Sequence, residues 1–129
     1  MAGVMDSRIE AARSLLEAAQ EEYQRARQEP MVKGIITFKN ACGKAWLAVL
    51  EATSAFFLKQ GVREEELPQN DRGRSYFVRR YMDRDLMGVY VSLRETFHIE
   101  GYYGGLLDFE DMPEYFEELR EFIETIRAL

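Results

Sequence analysis

The sequence predicts an all-α fold, an antiparallel up-and-down four-helix bundle that forms a single domain over residues 1–129. Apolar residues recur with helical period in four segments, and no segment alternates with period two for long, so no sheet is expected. Turn signals separate the segments, and most connections are short, which favours antiparallel neighbours. With 47% apolar residues, the chain has enough material for one core.

Composition limits the classes of function. The formal net charge of -6 opposes a general attraction to nucleic acid, because phosphate affinity comes mostly from clustered Lys and Arg. Cys42 is the single cysteine, which rules out an intrachain disulfide and favours a reducing compartment. The N-terminal residues include no apolar signal region, and no run approaches 18 apolar residues. We therefore expect a cytoplasmic protein that does not bind a membrane.

The first helix is predicted from Asp6 to Gln28. Asp6 or Ser7 can cap its first amides. Seven residues form its apolar stripe: Ile9, Ala12, Leu15, Leu16, Ala19, Tyr23 and Ala26. Pro30 and Gly34 are expected to separate it from the next helix.

The second helix, predicted from Ile35 to Gln60, is the most apolar part of the chain. Its seam has alternating three- and four-residue steps: Ile35, Phe38, Cys42, Ala45, Val49, Ala52 and Phe56. Trp46, Leu50 and Phe57 extend the apolar arc past half of the circumference. Such a helix must be covered on more than one side, so it is either central in the bundle or faces a partner subunit. The dimer surface is predicted to use Trp46, Leu50 and Phe57, flanked by Met87 and Val91 of the third helix.

Gly61 is expected to end the second helix, and a polar loop follows it. The third helix is predicted from about Tyr76 to Ile99, either continuous or interrupted around Asp83. The fourth begins at "DMPE", where Asp111 and Glu114 have the spacing of a capping box and Pro113 suits the first turn. Six of its residues are expected to face inward: Tyr115, Phe116, Leu119, Phe122, Ile123 and Ile126.

A basic cluster of five arginines lies between Arg72 and Arg84. Arg79, Arg80 and Arg84 are candidates for contact with an anion or RNA. The alternative is a solvated surface or a partner for the acidic fourth helix, since residues 108–124 contain eight acids and one arginine. Charge runs usually have one of these structural roles, and we favour that interpretation.

The stretch "RETFHIEGYYGG" joins the third helix to the fourth. Gly101 is predicted to end the helix in a left-handed conformation, and Gly104 with Gly105 to reverse the chain. Tyr102 and Tyr103 are expected to bury their rings against the end of the bundle and to hydrogen bond through their hydroxyls.

Arg94 and His98 lie four residues apart, so their side chains share a helix face with Met87 and Val91. An imidazole that moves a proton and a guanidinium that stabilises phosphate charge could serve a metal-independent ribonuclease. A histidine near a helix C-terminus more often caps carbonyls, and that structural role is the favoured interpretation. One Cys and one His make a zinc site within the chain improbable, and no glycine-rich phosphate-binding motif occurs, so neither a metal nor a cofactor is expected.

The helix layout, the second-helix segment "FKNACGKAWLAVLEATSAFFLKQGV" and the segment "LRETFHIEGYYGG" resemble the HEPN superfamily of small helical bundles. More closely, the chain resembles an uncharacterised prokaryotic family with a His-x-x-Gly-Tyr-Tyr-x-Gly signature, which here is His98, Gly101, Tyr102, Tyr103 and Gly105. The resemblance spans nearly the whole chain from about Arg8. It implies a homodimer and, in many members, a ribonuclease or a toxin paired with a nucleotidyltransferase antitoxin. The HEPN motif has four to six residues between Arg and His, whereas three separate Arg94 from His98.

These observations predict a cytoplasmic, homodimeric HEPN-like module for binding or interaction. The alternative is a HEPN-type ribonuclease that uses Arg94 and His98, with Arg79, Arg80 or Arg84 holding RNA. A third candidate is a stand-alone nucleotide-binding protein.

Overall fold

The computed structural model describes residues 2–105 and 107–129, and this part of the chain is helical with no strand. The prediction of an all-α fold is therefore confirmed. The helices are α1 (Ala2–Ala26), α2 (Met31–Lys59), α3 (Asp71–Tyr81), α4 (Arg84–Leu93) and α5 (Met112–Ala128). A π-helical segment, Arg94–Gly104, continues α4 without a break, and short 3₁₀ turns cover Glu64–Glu66 and Phe109–Asp111.

Helices α1 and α2 form an antiparallel hairpin. Arg8 near the start of α1 pairs with Glu51 in the second half of α2 at 3.1 Å, whereas Glu22 near the end of α1 pairs with Lys44. The connection spans only residues 27–30. The predicted stripe of α1 faces the core. Leu15 is half-buried, and the other six residues are buried: Ile9, Ala12, Leu16, Ala19, Tyr23 and Ala26.

Helix α2 begins at Met31, four residues earlier than predicted, directly after Pro30. Gly34 therefore lies inside the helix rather than loosening the turn. A Cβ at Gly34 would lie 2.9 Å from the carbonyl oxygen of Ala26, so the missing side chain lets the hairpin close tightly. At the other end, Gly61 has a φ of +93°, and its predicted role after the last turn of α2 is confirmed.

Helix α3 begins at Asp71, five residues before the predicted start. The side chain of Asn70 accepts a hydrogen bond from the Gly73 amide at 2.8 Å and caps the helix, so the last residues of the expected loop, 70–73, belong to its N-terminus. The alternative of an interruption at Asp83 is confirmed, since Asp83 accepts a hydrogen bond from the Leu86 amide and caps α4.

Helix α5 lacks the predicted capping box. Asp111 has helical φ and ψ of -88° and -12°, and its side chain accepts no capping hydrogen bond. The reason is that the preceding 3₁₀ turn, closed by Asp111 N donating to Asp108 O at 3.1 Å, runs directly into α5. Pro113 does occupy the first turn, as predicted. Of the six inward residues only Tyr115 is half-buried; the others are buried.

The core contains one unpaired hydroxyl. Thr53 in α2 is fully buried, and its Oγ1 has no hydrogen-bond partner within the described residues. Burying an unpaired hydroxyl costs about 1–3 kcal/mol, and valine has nearly the same shape. We therefore expect Thr53→Val to raise the free energy of unfolding by about 1 kcal/mol, measured by urea denaturation. A decrease in the free energy of unfolding of Thr53→Val would show that the hydroxyl forms a hydrogen bond.

Candidate functional site

The segment with Arg94 and His98 is π-helical rather than α-helical. The wider turn of a π-helix displaces side chains from the 3.6-residue register, and such segments are frequent at functional sites. The segment ends at Gly105, whose φ is +62°, and not at Gly101. The prediction that Gly101 ends the helix in a left-handed conformation is therefore wrong.

Gly101 has a packing role instead. A Cβ at this position would lie 2.6 Å from Sγ and 2.8 Å from Cβ of Cys42, so the absence of a side chain lets the π-helical segment touch α2. A second close contact with α2 lies at Gly43, because the ring of Tyr102 is 3.0 Å from the position that a Cβ of Gly43 would take. Cys42 is thus fully buried, and burial raises the pKa of its thiol to about 12, which makes it unreactive.

His98 lies flat on the indole ring of Trp46. The ring centroids are 4.8 Å apart with an interplanar angle of 15°, and Tyr103 packs on the imidazole at 5.0 Å. The favoured structural interpretation, a histidine that caps helix carbonyls, is not what the contacts show. The Nδ1 atom of His98 is buried and has no hydrogen-bond partner within the described residues.

Arg94 is held by Asp71 at the start of α3. Its Nε and Nη2 donate to the two carboxylate oxygens at 3.1 and 2.6 Å, a bidentate geometry that fixes the guanidinium plane. Arg74 lies 3.7 Å from the same carboxylate. Sequence reasoning missed Asp71 and Arg74, and no local signal could have found them, since 23 residues separate Asp71 from Arg94.

The electrostatic environment favours a neutral imidazole. The pKa of His98 is lowered by burial first and then by the positive charge of Arg94, with a smaller effect of Arg74. Tyr90 completes the group: it is buried, its hydroxyl has no partner within the described residues, and burial raises its pKa. A neutral imidazole beside two guanidinium groups can accept a proton near an anion, which is the chemistry that the sequence suggested.

The structure does not bring the other predicted RNA contacts to this place. Arg79, Arg80 and Arg84 are exposed, near the opposite end of α3 from Asp71. Eight helical residues separate Asp71 from Arg79, a distance of about 12 Å along the axis. The described residues also show no ion pair between these arginines and α5, so the alternative of an intrachain partner for the acidic helix is wrong.

The predicted dimer surface needs correction at two positions. Trp46 is covered by His98 and Tyr90, and Phe57 is covered by the rings of Phe77 and Tyr81 from α3. Both are buried within one subunit. Because a second layer of aromatic side chains shelters this side of α2, neither residue is open to a partner. Of the other candidates, Leu50 and Met87 are half-buried and Val91 is 56% exposed.

Exposed apolar side chains lie on the segments that pack near His98. Tyr103, which contacts the imidazole, is 63% exposed and Tyr102 is 43% exposed, so the expectation that the two tyrosines are buried is wrong. Leu47, the residue after Trp46 in α2, is 49% exposed. Val91 of α4, seven residues before His98, is also exposed. We call the surface formed by Leu47, Val91, His98, Tyr102 and Tyr103 the aromatic face.

Ion pairs between helices predict a loss of stability in acid. Glu124 of α5 accepts two hydrogen bonds from Arg13 of α1, both 2.8 Å, and these lower its pKa to about 2, with a further contribution from Arg127. The pKa of Asp71 is also lowered, mainly by Arg94. A carboxylate whose pKa in the folded state is below its unfolded value of about 4 stabilises the fold above about pH 4. This stability is lost as the pH falls toward the pKa of the folded state.

We expect the free energy of unfolding to decrease between about pH 5 and pH 2, and Glu124→Gln to reduce this dependence. Urea denaturation across this pH range is the measurement. Glu10→Gln is a matched control, because Glu10 contacts the same Arg13 without joining two helices. An unchanged slope in Glu124→Gln would contradict the assignment.

No group of three or more metal-ligating side chains occurs in residues 2–105 and 107–129. Among the described residues, the helix α2 is long and apolar enough to cross a membrane if length and composition alone are considered. Within its most apolar 18-residue stretch, 61% is buried inside the subunit.

Comparison with known proteins supports the fold. No family model matches the sequence. A search of curated proteins finds no significant match. A solved structure described as a protein of unknown function from Dyadobacter fermentans is similar, with a TM-score of 0.77 and 19% sequence identity over 96% of this chain and 98% of that chain. The two chains therefore share a fold over nearly their full lengths.

Proposed function

We propose that the protein is a homodimeric interaction module of HEPN-like type, an up-and-down four-helix bundle to which α3 is added. The observation on which this proposal rests is the aromatic face. Tyr102 and Tyr103 are exposed and pack in series on His98 and Trp46, and exposed Leu47 and Val91 lie on α2 and α4, whose residues Trp46 and Tyr90 fill the core beneath. An exposed apolar surface marks an interaction site more often than it marks a solvated surface.

A second copy is the simplest partner for this face. Leu47 and Val91 lie on α2 and α4, the two helices from which the sequence predicts the dimer surface. Tyrosine rings at the centre of a contact contribute large apolar area with little loss of conformational entropy. The proposed dimer surface therefore uses the exposed neighbours of Trp46 instead of Trp46 and Phe57, which are buried. A nucleotidyltransferase-type partner belongs to the same proposal and rests on the resemblance alone. A cytoplasmic location also belongs to it and rests on the single cysteine, Cys42.

Sedimentation velocity at micromolar concentration tests the dimer. At about 0.5 M salt, where exposed ion pairs are screened but apolar contacts persist, we expect a dimer. Leu47→Asp places a charge in the aromatic face and should give a monomer with an unchanged circular dichroism spectrum. Val4→Asp, at an exposed apolar position on α1, is the control and should stay dimeric. A monomeric parent protein would contradict the proposal.

Ribonuclease activity is the second candidate. The observation that favours it is the neutral imidazole of His98, which is partly exposed beside Arg94 and is placed on a stacking surface of Trp46 and Tyr103. Against it, Arg94 is already engaged by Asp71, so a phosphate must compete with a bidentate carboxylate. The contacts support the binding module more strongly for this reason.

Incubation with total RNA separates the two candidates. If the protein is a ribonuclease, the parent protein should cleave RNA, and both His98→Ala and His98→Phe should lose this activity. The phenylalanine variant retains a ring on Trp46, so loss of activity in a folded His98→Phe protein would identify the imidazole itself. Cleavage by neither the parent nor the variants would remove the ribonuclease candidate.

A further inference from the structure

A groove lies between the start of α4 and the second half of α5, on a part of the molecule separate from the aromatic face. It encloses about 260 Å³, and its lining residues include Leu86, Val89 and Phe122 at the base. Small-molecule sites usually occupy about 300–1,000 Å³, so this groove suits a side chain from a docking segment better than a whole ligand.

Carboxylates surround this apolar base. Asp85 of α4 and Glu118 and Glu121 of α5 line the groove, and none of the three has an ion-pair partner within the described residues. Asp83 also lines it but is engaged as the cap of α4. We call this surface the acidic groove. A partner with complementary chemistry would present an apolar or aromatic side chain flanked by cations.

The outward surface of α3 has this pattern. Arg72, Tyr76, Arg79 and Arg80 recur at helical spacing on one side, and Tyr76 is 55% exposed at its centre. The opposite side of α3 is fixed to the subunit through buried Val78 and the rings of Phe77 and Tyr81. Arg72, Arg79 and Arg80 form no ion pair in the part of the chain that the structure describes. We call this surface the basic face.

We propose that the acidic groove binds the basic face of a second copy of this chain. The tyrosine ring of Tyr76 would enter the groove, and the flanking guanidinium groups would meet the carboxylates of Asp85, Glu118 and Glu121. The groove and the basic face adjoin one another along the chain, because Arg79 and Arg80 lie in the last turn of α3 and Asp83, which caps α4, lines the groove. A two-fold axis at this junction would pair both surfaces at once, which closes the contact at two subunits.

This contact is independent of the aromatic face, and its salt dependence distinguishes the two. Exposed charges separated by more than about 10 Å are screened at 0.1 M ionic strength, and closer exposed pairs weaken as salt rises further. The contact through the acidic groove should therefore form at low salt and dissociate at high salt, whereas an apolar contact persists.

The experiment uses the Leu47→Asp variant, in which the aromatic face should not form a dimer. The result then does not depend on whether the parent protein dimerises through that face. We expect sedimentation velocity to show self-association at about 50 mM salt that is at least tenfold weaker at about 500 mM. The double variants Glu118→Arg/Glu121→Arg and Arg79→Glu/Arg80→Glu should each remain monomeric. Glu114→Arg/Glu117→Arg, on α5 outside the groove lining, is the control and should associate like the background protein.

Mixing the two charge-reversed proteins is the decisive step. Each then offers the complement that the other lacks, so a 1:1 mixture should associate although neither protein does alone. A mixture that stays monomeric, or association that survives the reversal at Glu118 and Glu121, would overturn the proposal. It would also be overturned if no copy binds while an unrelated cationic amphipathic peptide does, since the occupant would then be a foreign segment. A distribution of ever-larger species would contradict the two-fold arrangement.

Discussion

Replacing Gly101 by alanine is expected to lower the free energy of unfolding by about 3 kcal/mol, because overpacking a close helix contact typically costs 1–3 kcal/mol and here the overlap is severe. The new Cβ would lie 2.6 Å from Sγ of Cys42 and 3.0 Å from the carbonyl oxygen of Thr96. Neither can move freely, since Cys42 is fully buried in α2 and the carbonyl belongs to the helix backbone. Urea denaturation measures the change.

Gly88 provides a matched control on the same long helical stretch. A Cβ at Gly88 would contact nothing within 4 Å, and the residue is exposed, so Gly88→Ala should stabilise the protein by about 0.5–1 kcal/mol through helix propensity. Opposite signs at the two glycines would identify close packing as the reason for Gly101. A stable Gly101→Ala protein would show that the π-helical segment can shift away from α2.

The second large effect is expected at Lys44. Glu22 on α1 is only 6% exposed, and the ammonium group of Lys44 pairs with its carboxylate, while Arg25 is more distant at 3.6 Å. Lys44→Met would leave a buried carboxylate without its main partner. Breaking a buried pair costs about 3–5 kcal/mol, and we expect about 2 kcal/mol here because Lys44 itself is partly exposed.

The double variant Glu22→Gln/Lys44→Met tests that reason. Neutralising both groups removes the unpaired charge, so it should recover more than half of the stability that Lys44→Met loses. Lys33→Met is the control, since the Lys33 pair with Glu29 is long, at 3.7 Å, and the Lys33 side chain is 73% exposed, so the pair should contribute little. Equal losses in the single and double variants would mean that Lys44 acts through packing of its aliphatic chain.

The sequence could predict much of the fold because the relevant signal is local. The period of the apolar residues identified the stripes of α1 and α5 and the buried character of α2. Most of these residues are in the core, but Leu15 is half-buried and Ile35, predicted as the first residue of the α2 seam, is 46% exposed. Helix ends were less predictable where two signals compete. Gly34 was expected to separate two helices, yet it lies inside α2, where a Cβ would be 2.9 Å from the carbonyl oxygen of Ala26. Gly73 lies inside α3, where its amide donates to the side chain of Asn70.

In the candidate site, too, only the local relationships between residues could be predicted from the sequence. The sequence placed Arg94 and His98 together one turn apart, since a helix of either kind brings such residues to one side. It could not place Asp71 on Arg94 or Trp46 beneath His98, because those contacts join segments 23 and 52 positions away in the chain. The histidine therefore looked like a capping residue until its stacking partner was known.

By itself, the sequence determined that this protein is helical, that α2 is too apolar to be covered on one side only and that a glycine- and tyrosine-rich segment follows the histidine. Only the tertiary structure decided which apolar residues stay exposed. Trp46 and Phe57 are covered by rings from α3, α4 and the π-helical segment, whereas Leu47, one residue further along α2, is not. The reason is physical: periodicity reports how apolar a helix face is, but the distant segments that pack on it decide whether water reaches it.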